Sequence, residues 1–113
     1  KNKSLQQNAK LVGYYFINKL EKLKREFPNF ISKISGRGLF IGIDLIENGK
    51  LLHPNPKLAT KLINDLRNKG ILLSTDGPFN NVIKIKPPLV FTKENANQVF
   101  IEIRSFLINE NKK

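Results

Sequence analysis

The residues whose types and spacing best suit chemistry are two lysines, Lys84 and Lys86, in the alternating segment 82–86. Alternate residues of a β-strand point to the same face, so the two ammonium groups would share one surface. Two neighbouring cations repel each other and resist burial, and a solvated sheet face is therefore the commoner interpretation. The functional interpretation is an anion site in which lysine acts as a point charge for a carboxylate or a phosphate. The residues alone leave both interpretations open.

Other catalytic arrangements find little support in the chain. Ser74, His53 and Asp76 supply the residue types of a Ser-His-Asp triad, but only geometry identifies a triad, and we expect none here. Gly36-Arg37-Gly38 precedes a strand rather than a helix, so we interpret it as a turn and not as a phosphate loop. With no cysteine and a single histidine, thiolate chemistry and a multi-histidine metal site are excluded.

The net charge of +11 raises the question of nucleic acid. The basic residues are 16 lysines and only 4 arginines, whereas proteins that read nucleic acids favour arginine for its forked contacts. The chain also has 14 asparagines and 13 isoleucines. Lysine, asparagine and isoleucine rise together in proteins of AT-rich genomes, and this bias explains the charge without a nucleic-acid partner. A basic nucleic-acid-binding module stays the alternative hypothesis.

The length of 113 residues predicts one small domain, spanning residues 1–113. The chain starts at Lys1 and contains no methionine, which indicates a piece of a longer protein. No apolar run approaches the roughly 20 residues of a membrane-spanning helix, and no signal peptide is visible. We therefore expect a cytoplasmic protein without a membrane partner.

Hydrophobic periodicity predicts three helices and four strands, in the order helix, strand, strand, helix, strand, strand, helix. The first helix covers about residues 4–27, the second begins at Pro56 with Asn55 as its N-cap, and Thr92 caps the third. The strands are expected at 31–34, 39–46, 71–73 and 82–86, with a loop at 74–81 and a frayed tail at 109–113. The resulting fold class is α+β, a small mainly antiparallel sheet of 3–4 strands covered on one face by three helices.

Two segments resemble a known family. Residues 35–45, SGRGLFIGIDL, are similar to the RGxGLxxGxxL strand of class III aminotransferases. Residues 70–78 and 81–92 resemble the last strands of that class, which end in a Pro-Pro-Leu sequence. The segment LLSTDGP and the later KIKPP are closest to a subgroup. It contains phospholyases acting on phosphoethanolamine or phosphohydroxylysine and the alanine–glyoxylate aminotransferase 2-like proteins.

The resemblance implies the fold and cofactor of the parent protein. It would be a fold type I enzyme whose large domain, upstream of this chain, holds pyridoxal 5′-phosphate (PLP) on a lysine as a Schiff base. Such enzymes are generally homodimers with their sites at the subunit interface. The present chain would be the small C-terminal domain, lining one side of the pocket for a small amine substrate and inactive alone.

The resemblance also implies substrate-binding residues. Many relatives carry arginine, which helps to bind a substrate carboxylate, at the position of Lys84. The lysine fits a different anion such as a phosphate monoester, although it could also serve a carboxylate less selectively. Lys86, Ser74 and Asp76 would line the mouth of the pocket. Transamination and phosphate elimination both stay open, as does a ligand-free dimerisation domain that exposes an apolar patch on its first helix.

Overall fold

The computed structural model describes residues 2–37, 40–68, 73–86 and 91–113, and these ranges form three helices and five strands. Their order along the chain is α1, β1, β2, β3, α2, β4, β5 and α3. The bounds are Asn2–Glu26 for α1, Ile31–Arg37 for β1, Phe40–Glu47 for β2, Lys50–Pro54 for β3, Pro56–Asn68 for α2, Ser74–Asp76 for β4, Val82–Ile85 for β5 and Lys93–Asn111 for α3.

The strands form one antiparallel sheet in the spatial order β1-β2-β5-β4, and β3 pairs with the end of β2. The central strand β2 aligns Gly42 with Ser35 of β1 and with Lys84 of β5. On the far side of β5, Lys84 is aligned with Ser74 of β4. The two segments that resemble class III aminotransferases therefore lie side by side in one sheet.

The hydrophobic core fills the space between one face of the sheet and the helices. Alternate residues of the strands point into it, and Ile43 and Ile83 at its centre have no exposed surface. Helix α1 packs on β1 and α3, and α2 packs on α3 and on the strands β2, β5 and β4. Buried residues of the helices complete the core: Val12, Phe16, Leu20, Leu23, Leu58, Ala59, Leu62, Ile63, Leu66, Ala96, Val99, Ile103, Phe106 and Leu107. The α+β class with three helices on one face is confirmed.

Both predicted helix caps are present. The Asn55 side chain accepts a hydrogen bond of 3.1 Å from the backbone N–H of Leu58, which satisfies a donor that the first turn of α2 leaves free. At α3, the Thr92 hydroxyl accepts from the N–H of Asn95, and the Asn95 side chain accepts from the N–H of Thr92. This reciprocal pair fixes where the third helix begins.

Several element boundaries differ from the sequence-based prediction. A strand was predicted at 71–73. This prediction is wrong for Leu73, which is not in a strand, and residues 71 and 72 lie outside the described ranges. Residues 74–76, predicted as loop, form β4 because they pair with β5. Residues 109–111, predicted as part of a frayed tail, belong to α3, which continues through Asn111, and the Asn111 side chain accepts a hydrogen bond from Asn29.

Strand β3 was not predicted at all, and it raises the sheet to five strands. Asn48-Gly49 forms the turn between β2 and β3, and both residues have positive φ, 50° and 75°, which is typical of an Asn-Gly hairpin turn. Beyond this turn, Leu51 and Leu52 are adjacent apolar residues without alternation, and both are exposed. Sequence periodicity gives no strand signal in such a segment, because its pairing with β2 is imposed by the hairpin turn.

Gly36 lies against a side chain of α1. A Cβ atom added at Gly36 would stand 2.5 Å from Cδ1 of Ile17, so a larger residue here would force the end of the Ile17 side chain to move. Gly36 is part of β1, paired with Ile41, so the segment interpreted as a turn is strand at this position. None of the helices in the described ranges is both long enough and apolar enough to span a membrane.

Candidate anion-binding site on the open face of the sheet

The face of the sheet opposite the helices carries the charged and polar residues that could bind a ligand, and we call it the open face. Two cross-strand rows define it. The first row is Ser35, Gly42, Lys84 and Ser74, and the second is Lys33, Asp44, Val82 and Asp76. Phe40 precedes these rows on β2, and Lys86 follows them on the chain after β5. Period-two alternation puts all of them on the side away from the buried isoleucines.

Lys84 lies at the centre of the open face. Its Nζ atom is 3.7 Å from Oδ2 of Asp76 and 4.3 Å from the centre of the Phe40 ring. One third of its side-chain surface is exposed (33%), so the ammonium group is held by neighbours yet open to a ligand. A cation in this position can bind an anion through charge-assisted hydrogen bonds.

Phe40 brings the second predicted lysine into the same group. The Nζ atom of Lys86 lies 5.0 Å from the centre of the Phe40 ring, and both lysines are therefore within cation–π distance of one aromatic ring. The pairing of Ile41 with Ile85 brings Phe40 and Lys86 together, because Phe40 precedes Ile41 on β2 and Lys86 follows Ile85 at the end of β5. Phe40 keeps 39% of its surface exposed and lies outside the core.

The other two predicted site residues, Ser74 and Asp76, are on β4. Ser74 stands directly opposite Lys84, where cross-strand side chains are close neighbours. Asp76 reaches diagonally to Lys84 and is 61% exposed, so it can move into solvent when another anion approaches. The structure thus brings all four predicted residues to one surface, although β4 itself was predicted as a loop.

Asp44 is the second carboxyl group on the open face. Partial burial raises the pKa of Asp44 above its ordinary value of 3.8, and the nearby positive charge of Lys33 opposes that shift. Lys33 is its cross-strand neighbour on β1. Burial has the larger effect because water, the best stabiliser of a carboxylate, is partly excluded.

The absence of a side chain at Gly42 leaves room above β2 on the open face. The neighbouring side chains use that room, since an added Cβ atom would lie 2.9 Å from the Ser35 hydroxyl oxygen and 3.4 Å from Cγ1 of Val82. Gly42 therefore allows the side chains of Ser35 on β1 and Val82 on β5 to pack over β2 from its two sides.

Sequence reasoning missed Phe40 as part of the site. The segment around Phe40 and the segment around Lys84 each alternate clearly, but alternation does not reveal which residues of two strands stand opposite each other. Only the β2–β5 register shows that the ring and the lysines meet. Within the ranges that the structure describes, no group of three or more His, Cys, Asp or Glu side chains could hold a metal ion.

Comparison with known proteins gives a consistent result. The family model for class-III aminotransferases matches residues 1–107. The chain is 39% identical to an alanine–glyoxylate aminotransferase 2-like protein of Drosophila melanogaster, with 91% of this chain and 21% of that protein aligned. It is 40% identical to an ethanolamine-phosphate phospho-lyase homolog of Caenorhabditis elegans, with 84% of this chain and 20% of that protein aligned.

A solved structure is also similar. A phospholyase from Arthrobacter, in complex with phosphoethanolamine, superimposes with a TM-score of 0.86 at 37% sequence identity. The similarity covers 95% of this chain and 25% of that protein. The chain thus spans about a fifth to a quarter of the length of these relatives.

Proposed function

Because the chain belongs to the class III aminotransferase family, we propose that it is the small domain of a PLP-dependent enzyme and that its open face lines the substrate pocket. The observation that carries this proposal is the position of Lys84. It lies at the centre of the open face, partly exposed, where the two family-like segments meet. Its contribution to the reaction is to bind the anionic group of the substrate and thereby to orient the amine.

We propose a phosphorylated amine as the substrate. Lysine serves phosphate as a point charge and lacks the fork that makes arginine suited to a planar carboxylate. Lys86 adds a second positive charge beside Lys84, which favours a doubly charged group over a singly charged one. The similarity to a phospholyase that was solved with phosphoethanolamine supports this choice. Release of phosphate from the substrate is then the proposed reaction, and transamination is the second candidate.

The described residues do not form a cofactor site by themselves. PLP supplies an electron sink for the carbon next to the substrate nitrogen, and it requires a lysine inside a pocket that surrounds its ring and phosphate. Lys84 and Lys86 instead lie on an open surface, against Phe40. We propose that PLP is bound by the remainder of the polypeptide, and we assign to this chain no step of the reaction beyond binding the substrate.

Homodimerisation, which the family resemblance implies, and a cytoplasmic location, which the sequence analysis expects, stay predictions. Helix α1 exposes two large apolar side chains, Leu11 at 66% and Tyr14 at 63%, on the helix where a contact surface was expected. Their exposure supports a proposal that α1 touches protein, either the large domain or a second subunit. No comparison supports the nucleic-acid-binding alternative.

Steady-state kinetics of the full-length enzyme with PLP and phosphoethanolamine test the proposed function. Inorganic phosphate release reports elimination, and formation of a new amino acid from an added keto acid reports transamination. Replacing Lys84 with alanine removes a charge-assisted contact, so we expect KM for phosphoethanolamine to rise about 10- to 100-fold.

The matched control is Lys50→Ala, which removes an exposed lysine from β3 at the other end of β2. Its KM should stay at the wild-type value. A Lys84→Ala enzyme with unchanged KM would remove Lys84 from the substrate site. Amino-group transfer without phosphate release would replace the proposed reaction by the second candidate.

A further inference from the structure

Packing in the hydrophobic core does not explain the position of the Phe40 ring. It is 39% exposed, is not part of the buried cluster, and faces the ammonium groups of Lys84 and Lys86 at 4.3 Å and 5.0 Å. We infer that Phe40 is a positioning residue, whose aromatic ring holds Lys84 and Lys86 in a two-cation site for a phosphate monoester. This inference rests on the proposed function, because it assumes that the open face binds substrate.

Electrostatics explains why such a residue is needed. Two ammonium groups side by side repel each other, and each lysine side chain has four rotatable bonds with which to move apart. Asp76 contacts Lys84 and offsets part of that repulsion. The π-electron density of one aromatic ring attracts both cations and occupies no anion-binding position. The lysines are then arranged before the substrate arrives, which lowers the entropy cost of binding.

The backbone supports this role of Phe40. It is the first residue of β2 and pairs with Arg37 of β1. The next residue, Ile41, is buried and paired with Ile85 of β5. Because both neighbouring strands hold β2 in register at this point, the backbone of Phe40 has a fixed position relative to Lys84 on β5 and to Lys86 just after it. A rigid support of this kind is what positions flexible side chains in a binding site.

The test compares Phe40→Leu with Phe40→Trp in the full-length enzyme loaded with PLP. Leucine keeps the apolar character and removes the aromatic face, whereas tryptophan keeps that face. Each cation–π contact at a partly exposed site corresponds to about a 2- to 5-fold change in binding. We expect Phe40→Leu to raise KM for phosphoethanolamine and Ki for inorganic phosphate by about 4- to 25-fold, with kcat within about 2-fold of wild type.

The Phe40→Trp enzyme should keep both constants within about 3-fold of wild type, because tryptophan is the strongest cation–π partner. The matched control is Phe79→Leu, the same substitution at an exposed phenylalanine in the β4–β5 loop, which should change neither constant. A purely structural role of Phe40 would instead lower kcat and thermal stability and leave Ki for phosphate unchanged. That outcome would overturn the inference.

A double-mutant cycle separates this inference from the proposed function. If Phe40 acts through Lys84, the effect of Phe40→Leu on Ki should shrink in a Lys84→Ala background, since one of its two cations is gone. Full additivity would contradict the inference. If Lys84→Ala raises Ki and Phe40→Leu does not, Phe40 is not a positioning residue and the proposed function stands. If neither substitution changes Ki, the proposed function fails as well.

Discussion

The two faces of the sheet use the same strands for opposite purposes. On the covered face, Ile43 and Ile83 stand opposite each other without exposed surface, beneath the helices. In the neighbouring pair of the same register, Gly42 and Lys84 stand opposite each other on the open face. Because side chains alternate along a strand, every second residue contributes to folding and the residues between them are available for chemistry.

The difference between the faces shows which changes the domain can tolerate. On the covered face, a lost methyl group leaves a cavity that the surrounding side chains fill only in part. On the open face, a changed side chain meets water or a flexible neighbour. Substitutions on the covered face should therefore alter stability, and substitutions on the open face should alter substrate binding. Three further predictions test that division, beginning with the largest expected effect.

Replacing Ile43 with alanine should have the largest effect on stability. Ile43 is fully buried at the centre of the sheet, so its truncation is expected to cost about 2–5 kcal/mol of unfolding free energy. Urea unfolding followed by circular dichroism measures this loss. The control is Ser35→Ala on the open face, which should change stability by about 0.5 kcal/mol or less. Equal losses at both positions would refute the division between the faces.

Asn81 should give an intermediate effect because it is the buried polar residue of the described core. It is 8% exposed, and its Nδ2 atom donates a 2.9 Å hydrogen bond to the carbonyl oxygen of Leu45. That oxygen also accepts from the N–H of Asn55, so it keeps a partner when the side chain is lost.

Replacing Asn81 with alanine should thus cost about 1 kcal/mol in the same urea titration, the usual value of one hydrogen bond. A loss above about 3 kcal/mol would show that Asn81 organises the end of the sheet through more than this bond.

Asp44 should give the smallest effect, and one that depends on pH. Because burial raises its pKa above 3.8, the folded chain binds this proton more tightly than the unfolded chain does. The charge on Asp44 therefore opposes folding at neutral pH, and this opposition disappears as the pH falls through the raised pKa towards 3.8.

Replacing Asp44 with asparagine should accordingly stabilise the domain at pH 7 by about 0.5 kcal/mol or less, with little difference from wild type below about pH 3.5. Thermal unfolding at several pH values measures the two curves. A variant that is less stable than wild type at pH 7 would show that attraction to Lys33 outweighs burial.

The sequence predicts most of the covered face and only part of the open face. Alternation around Ile43 and Ile83, the helical stripes and the caps at Asn55 and Thr92 are local patterns, and each is present in the structure. The strand at residues 74–76 carries turn-forming residues and was missed, because its pairing with β5 is a tertiary effect.

The open face depends on register, which local patterns do not contain. Lys84 and Lys86 were singled out from their spacing, and family resemblance added Ser74 and Asp76. Their convergence with Phe40 follows from which residues of β2, β4 and β5 stand opposite each other. A shift of one residue in that pairing would have moved the ring to the covered face.

The most direct test of phosphate binding by the open face is a crystal structure of the full-length enzyme with phosphoethanolamine bound. The quantity to measure is the distance from Lys84 Nζ to the nearest phosphate oxygen. We predict a separation of about 2.7–3.2 Å, with Asp76 displaced from the lysine. A phosphate group bound elsewhere, with Lys84 still paired with Asp76, would contradict the claim that the open face is a wall of the substrate pocket.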